Sequence, residues 1–226
     1  MENKKKTIFL GYYHYGVILT YLSVVSAIVG IYFSVGGNRE PQPYIGVICL
    51  LISGVCDAFD GIVARTRKNR TREDKMFGER IDSLSDMIAF GLAPTAIMFG
   101  MGFNRWYFLP VYMLYVLCAL IRLAYFDVTE IIRTEKEDAG KREFYEGLPV
   151  TPSAIIISLC YLIATLFKVN SLGYTLTMLI GYVSVAIAFI SPFKVTKMGA
   201  KGILKLIIVV AIVIGILMAI KLGVFS

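Results

Sequence analysis

The sequence predicts an all-α fold, a polytopic integral membrane helix bundle of about seven spans. Three observations carry this. Of the 226 residues, 57% are hydrophobic and only 17% charged, and the mean hydropathy is +0.71, outside the composition of ordinary soluble domains. Apolar runs long enough to cross a bilayer, roughly 17–25 residues each, recur along the whole chain. Lysines and arginines collect in alternate connections between those runs, as bilayer topology demands.

Taken in order, the chain begins with MENKKKTIFLGYYHYG, which has no small-residue cleavage site after a short apolar region. It reads as a retained cytoplasmic lead-in whose lysines and aromatic residues suit the membrane surface. The first span is expected at 15–35, with His14, the one histidine, as an interfacial packing residue at its edge. The second and third spans, 44–65 and 79–101, carry aspartates and are joined by a basic connection. The fourth, 105–127, ends in RLAYFDV. The fifth, 150–168, starts beside Pro149 and Pro152, where Thr151 and Ser153 read as helix-capping residues. The sixth and seventh are expected at 171–191 and 203–224.

With the N terminus inside, the inner segments hold Lys4, Lys5, Lys6, the run from Arg65 to Arg80, Arg122, the 133–142 group and the lysines from Lys194 to Lys205. Only Arg39, Arg105, Lys168 and Lys221 fall outside. The formal net charge of +7 is thus a consequence of topology, and a nucleic-acid partner is excluded as its explanation. Cys49, Cys56, Cys118 and Cys160 all lie inside expected spans and form no C-x-x-C pair, so neither a disulfide framework nor a zinc site is indicated. No internal repeat or linker divides the chain, and one membrane domain is expected over 1–226.

The second span ends in CDAFDGIVAR and the third carries GERIDSLSD. Helical spacing places Asp57, Asp60, Gly61 and Ala64 on one stripe, and Gly78, Asp82 and Asp86 on another. Two helices joined by a short inner connection pack antiparallel, so the stripes face each other and four carboxylates converge at the inner edge of the hydrocarbon layer. One charged side chain at the centre of a span costs about 2.5–3.5 kcal/mol on insertion scales. Four in one place repel one another and call for a cation. Oxygen ligands without Cys or His select hard divalent ions such as Mg²⁺, Mn²⁺ or Ca²⁺.

The pattern D-x-x-D-G-x-x-A-R, a spacer, then G-x-x-x-D-x-x-x-D, carried by Asp57, Asp60, Gly61, Ala64, Arg65, Gly78, Asp82 and Asp86, resembles the motif of the CDP-alcohol phosphatidyltransferases. The resemblance implies a bundle of six core transmembrane helices, so the last span is an extra one, and it implies a homodimer. It also implies transfer of the phosphatidyl group from CDP-diacylglycerol to an alcohol with release of CMP. Asp57, Asp60, Asp82 and Asp86 are then ligands of two Mg²⁺ or Mn²⁺ ions, and Asp86 is also the catalytic base. Asp57, Gly61, Ala64, Arg65 and Gly78 line the CDP-diacylglycerol site.

The stretches DSLSDMIAFGLAPTAI, RLAYFDV and GLPVTPSA look like the branch whose acceptor is L-serine and whose product is phosphatidylserine. Arg122 is then the fork for the serine carboxylate and Asp127 the partner of its ammonium group, the two sharing a pocket. Two departures stand out. The 12-residue spacer between Arg65 and Gly78 is longer than usual and is expected to lengthen a surface loop, and Asp127 stands where this branch commonly has Asn. Other acceptors remain open within the family: glycerol phosphate, inositol phosphate, or choline caged by Tyr125 and Phe126. A cation transporter using intramembrane carboxylates is the alternative from another class. It needs carboxylates at mid-membrane on broken helices and inverted repeats, which the sequence lacks. The setting implied is a bacterial or archaeal cell membrane, with the N terminus and active site on the cytoplasmic side.

Overall fold

A computed structural model describes residues 15–37, 40–66, 71–135, 144–196 and 200–221. The lead-in and His14 lie outside the described residues. After a short 3₁₀ turn the chain forms α1 (Ile18–Ser34) and α2 (Pro43–Thr66). Next come α3 (Arg72–Asp86), a π-helical segment (Met87–Leu92) and α4 (Ala93–Gly100), which run on as one rod. Then follow α5 (Leu109–Glu135), α6 (Ser153–Thr165), α7 (Leu172–Ile190) and α8 (Ala200–Lys221). Four stretches, Pro43–Gly61, Arg72–Gly100, Trp106–Arg133 and Leu172–Ile190, are long and apolar enough to cross a membrane, while α1 and α6 are shorter apolar helices. The chain is an all-α integral membrane protein.

A helix stands at each of the seven expected positions, with three differences in detail. The fifth is only 13 residues long, about 20 Å at 1.5 Å per residue, because Pro149 and Pro152 keep residues 147–152 out of the helix. The third begins a full seven residues early. Thr71 accepts the Asp74 N–H while Asp74 accepts the Thr71 N–H, a capping box that starts the helix at Arg72. Residues 72–77 of the long spacer therefore belong to α3 and not to a loop. Finally, the connections before α6 and before α8 meet in a short antiparallel pairing of β1 (Phe144–Glu146) with β2 (Lys194–Thr196).

Helix α1 packs along α2, and small residues let it. A Cβ on Gly30 would sit 2.8 Å from the Cys49 Cβ, and the Ser53 hydroxyl donates to the Ser23 carbonyl at 2.9 Å. α2 also packs on α4 and α6, α7 on α5 and α6, and α8 on α2 and α6. The core is filled by Leu50, Phe90, Tyr115, Tyr182 and Phe189. The Tyr182 hydroxyl is satisfied by the Pro94 carbonyl at 2.6 Å. Pro94 has no N–H to give Phe90, and the ladder before it widens to the π form, with the Ala93 N–H bonded to Ile88 O. That widening follows directly on Asp86.

Candidate active site

Helices α2 and α3 bring their aspartates together in antiparallel register: Asp57 lies against Asp86 and Asp60 against Asp82, each pair within hydrogen-bonding reach. Oxygens of Asp57, Asp82 and Asp86 all lie within 4.8 Å of one another. Asp60 is buried at 6% exposure and the other three are partly buried. From the far ends of their spans, Pro43 and Gly100, the inner pair lies about 21 Å deep and the outer pair about 26 Å. The two helices therefore deliver their carboxylates at matching heights, near one edge of a ~30 Å hydrocarbon layer. Gly61 and Gly78 flank the cluster on their helices. Ala64 and Arg65 belong to α2, but their side chains lie outside the described residues, as do Arg67, Lys68 and Arg70 of the basic run.

Two hydroxyls reach the α2 carboxylates from distant elements. Thr20 of α1 donates to Asp60 Oδ2 at 3.1 Å, and Thr151, just before α6, donates to Asp57 Oδ2 at 2.6 Å. The capping expected of Thr151 is thus corrected. Its hydroxyl serves Asp57, and Pro152 is the N-cap of α6 with no side-chain cap bond. Asp82 Oδ1 is buried without a hydrogen-bond partner. A buried carboxylate oxygen left so in a cluster of hard oxygen donors fits a divalent cation.

Among the described residues, no arginine pairs with the four aspartates. Arg80 instead donates to Asp127 Oδ2 at 2.6 Å, and Ser83 to Asp127 Oδ1 at 2.6 Å. This trio lines an 80 Å³ cavity shared with Asp82, Phe126 and Glu130. Arg122 lines a different cavity of 240 Å³, with Tyr125, Glu146 and Ser191. The expectation that Arg122 and Asp127 share a pocket is therefore corrected, for a physical reason: five residues along a helix turn the side chain by about 140°. Tyr125 and Phe126 also diverge. Tyr125 donates to Glu146 at 2.6 Å, while Phe126 lies under the Arg122 guanidinium at 5.6 Å, so they form no common cage. Sequence reasoning missed Thr20 and Ser83. Ser83, one residue after Asp82 and three after Arg80, carried a local signal, whereas Thr20 carried none.

The sequence profile of the CDP-alcohol phosphatidyltransferases matches residues 14–190. The chain belongs to this family. Among curated members, the CDP-diacylglycerol–serine O-phosphatidyltransferase of Saccharomyces cerevisiae is 39% identical over 113 residues, covering 49% of this chain and 40% of that protein. The archaetidylserine synthase of Methanothermobacter thermautotrophicus is 31% identical over 163 residues, 72% of this chain and 62% of that protein. The Helicobacter pylori CDP-diacylglycerol–serine O-phosphatidyltransferase is 30% identical over 175 residues, 73% of this chain and 69% of that protein. The first two relatives are thus matched over less than two thirds of their length. As a CDP-alcohol phosphatidyltransferase, the chain has its aspartate cluster, α1 to α7, within the matched region, and α8 beyond it.

Proposed function

We propose that the chain transfers the phosphatidyl group of CDP-diacylglycerol to the hydroxyl of L-serine, giving phosphatidylserine and CMP. The observation that carries the acceptor is the Arg80–Asp127 pair in the cavity that Asp82 also lines. A fixed pair of opposite charges is complementary to a zwitterion. Arg80 can fork the serine carboxylate while Asp127 takes the ammonium group, which puts the serine hydroxyl toward the aspartates. Names of the relatives support the same acceptor.

Asp57, Asp60, Asp82 and Asp86 would hold the divalent cations, Mg²⁺ or Mn²⁺ and two in number on the family pattern. When bound, these ions neutralise the diphosphate of the donor and stabilise CMP as it leaves. Gly61, Ala64, Arg65 and Gly78 line the donor site in this reading, the small residues leaving room for the nucleotide against α2 and α3. In the net reaction the serine oxygen bonds to the phosphatidyl phosphorus, the diphosphate linkage to CMP breaks, and Asp86 receives the hydroxyl proton. One domain over 1–226, working as a homodimer in a bacterial or archaeal cell membrane, completes the proposal.

The deciding assay gives purified chain CDP-diacylglycerol, Mn²⁺ and a panel of alcohols. Release of CMP with L-serine above that with glycerol phosphate, inositol phosphate or choline is expected. CMP release that ignores serine would overturn the acceptor, and no CMP release with any alcohol would overturn the proposed reaction.

The basic residues support a cytoplasmic site. The β1–β2 pairing joins the connections before α6 and before α8, and the Arg80–Asp127 bridge ties α3 to α5 near their charged ends. Single cysteines placed within 66–77 or 133–145 of a cysteine-free background are expected to react with an impermeant maleimide only from the cytoplasmic side. Labelling in intact cells would invert the orientation.

A further inference from the structure

We infer that Thr151 is a positioning residue for Asp57, and that Arg122 holds Thr151 in place through the backbone of residues 148–151. The inference rests on reading the aspartate cluster as a divalent-cation site. The Thr151 hydroxyl and Asp57 are 94 residues apart in sequence and 2.6 Å apart in space. A carboxylate on a helix can turn about its terminal torsion. One hydroxyl donated to Oδ2 stops that turn and leaves the remaining lone pairs facing Asp82 and Asp86, with which Asp57 is grouped. Helix α6 does not use the hydroxyl, since its N-cap is Pro152 and the Ser153 hydroxyl folds back to Val150 O.

The segment that presents Thr151 is neither helix nor strand, yet it is held at several points. The Gly147 N–H donates to Phe193 O at 2.7 Å and the Leu148 N–H to Ala188 O at 2.9 Å. Gly147 has φ +73°, and a Cβ there would come within 2.8 Å of the Phe189 carbonyl oxygen, so only glycine lets the chain turn this close to the end of α7. The third hold is Arg122, whose Nε donates to Leu148 O at 3.1 Å. Arg122 is 4% exposed. Burying a guanidinium is costly unless partners and hydrogen bonds offset the lost hydration, and here its Nε–H holds the carbonyl three residues before Thr151. Arg122 thus lies in a separate cavity and reaches the segment that presents Thr151 through the Leu148 carbonyl.

The test is direct Mn²⁺ binding by the purified full-length chain in lipid nanodiscs, read by the EPR signal of free Mn²⁺, with and without CDP-diacylglycerol. Thr151→Val keeps the shape and removes the donor. It is expected to weaken Mn²⁺ about tenfold, the lower end of losses from partners of metal ligands. Thr151→Ser is expected to bind within about twofold of the parent chain on the same scale, and Arg122→Lys to weaken Mn²⁺ in the same direction as Thr151→Val. In turnover, the Mn²⁺ requirement should rise while KM for serine at saturating Mn²⁺ stays unchanged. Unaltered Mn²⁺ binding by Thr151→Val, or a loss that Thr151→Ser fails to restore, would overturn the positioning role and leave Thr151 as packing. Normal binding by Arg122→Lys would remove Arg122 from the relay. A parent chain that binds no Mn²⁺ in either condition would overturn the cation site itself, an outcome distinct from all the others.

Discussion

Asp57→Asn, Asp60→Asn and Asp82→Asn are each expected to abolish CMP release from CDP-diacylglycerol while leaving a folded, membrane-inserted chain. Asparagine keeps the size of the side chain and removes the charge, so the packing of α2 against α1 and of α3 against its neighbours is preserved. What is lost at positions 57 and 82 is an anionic member of the group of oxygens within 4.8 Å of one another, at position 82 also the buried oxygen that no protein group satisfies, and at position 60 the buried carboxylate beside Asp82 that accepts from Thr20. The loss should exceed the roughly 10- to 100-fold typical of changes in groups that merely support a metal ligand. Chelation should have the same effect on the unaltered chain and be reversed by Mg²⁺ or Mn²⁺. Near-normal turnover of any one variant at saturating metal would remove that residue from the ligand set. Because removing repulsion among buried carboxylates is favourable, the same variants are expected to match or exceed the parent chain in thermal stability without metal. Thermal unfolding with and without Mn²⁺ checks this.

Asp86→Asn should behave differently. Asp86 lies against Asp57 and opens the π-helical segment that follows it, which aims it from the wall of the cluster. If it takes the proton of the acceptor hydroxyl, its loss falls on the chemical step, and a drop in kcat of about 10²- to 10⁴-fold is expected. Binding of CDP-diacylglycerol should persist at saturating Mn²⁺, measured in the absence of serine. A variant that loses donor binding as completely as Asp82→Asn would confine Asp86 to metal ligation and leave the base unassigned.

Much of the site was legible along the chain because its chemistry is written in local periodicity. Asp57 and Asp60 share a helical stripe, as do Asp82 and Asp86, and the antiparallel pairing of 57 with 86 and 60 with 82 follows from two short-connected helices. The early start of α3 was missed, although Thr71 and the Asp74 three residues on form a capping pattern that announces it. The divergence of Arg122 from Asp127 was likewise a matter of helical angle.

The sequence by itself therefore determined that this is a membrane bundle, roughly where its helices run, and which aspartates share a helical stripe, since burial of apolar runs and the 3.6-residue period act over a few turns. The tertiary structure alone decided what holds those carboxylates and what stands beside them. Thr20 and Thr151 reach Asp60 and Asp57 from 40 and 94 residues away. Arg80 spans 47 residues to Asp127 and Arg122 spans 26 to Leu148. Such partners are chosen by the packing of α1, α5, α6 and α7 around the aspartate helices. A hydroxyl or guanidinium carries no mark in sequence of which distant oxygen it will meet, because the contact depends on helix angles and depths set by the whole core.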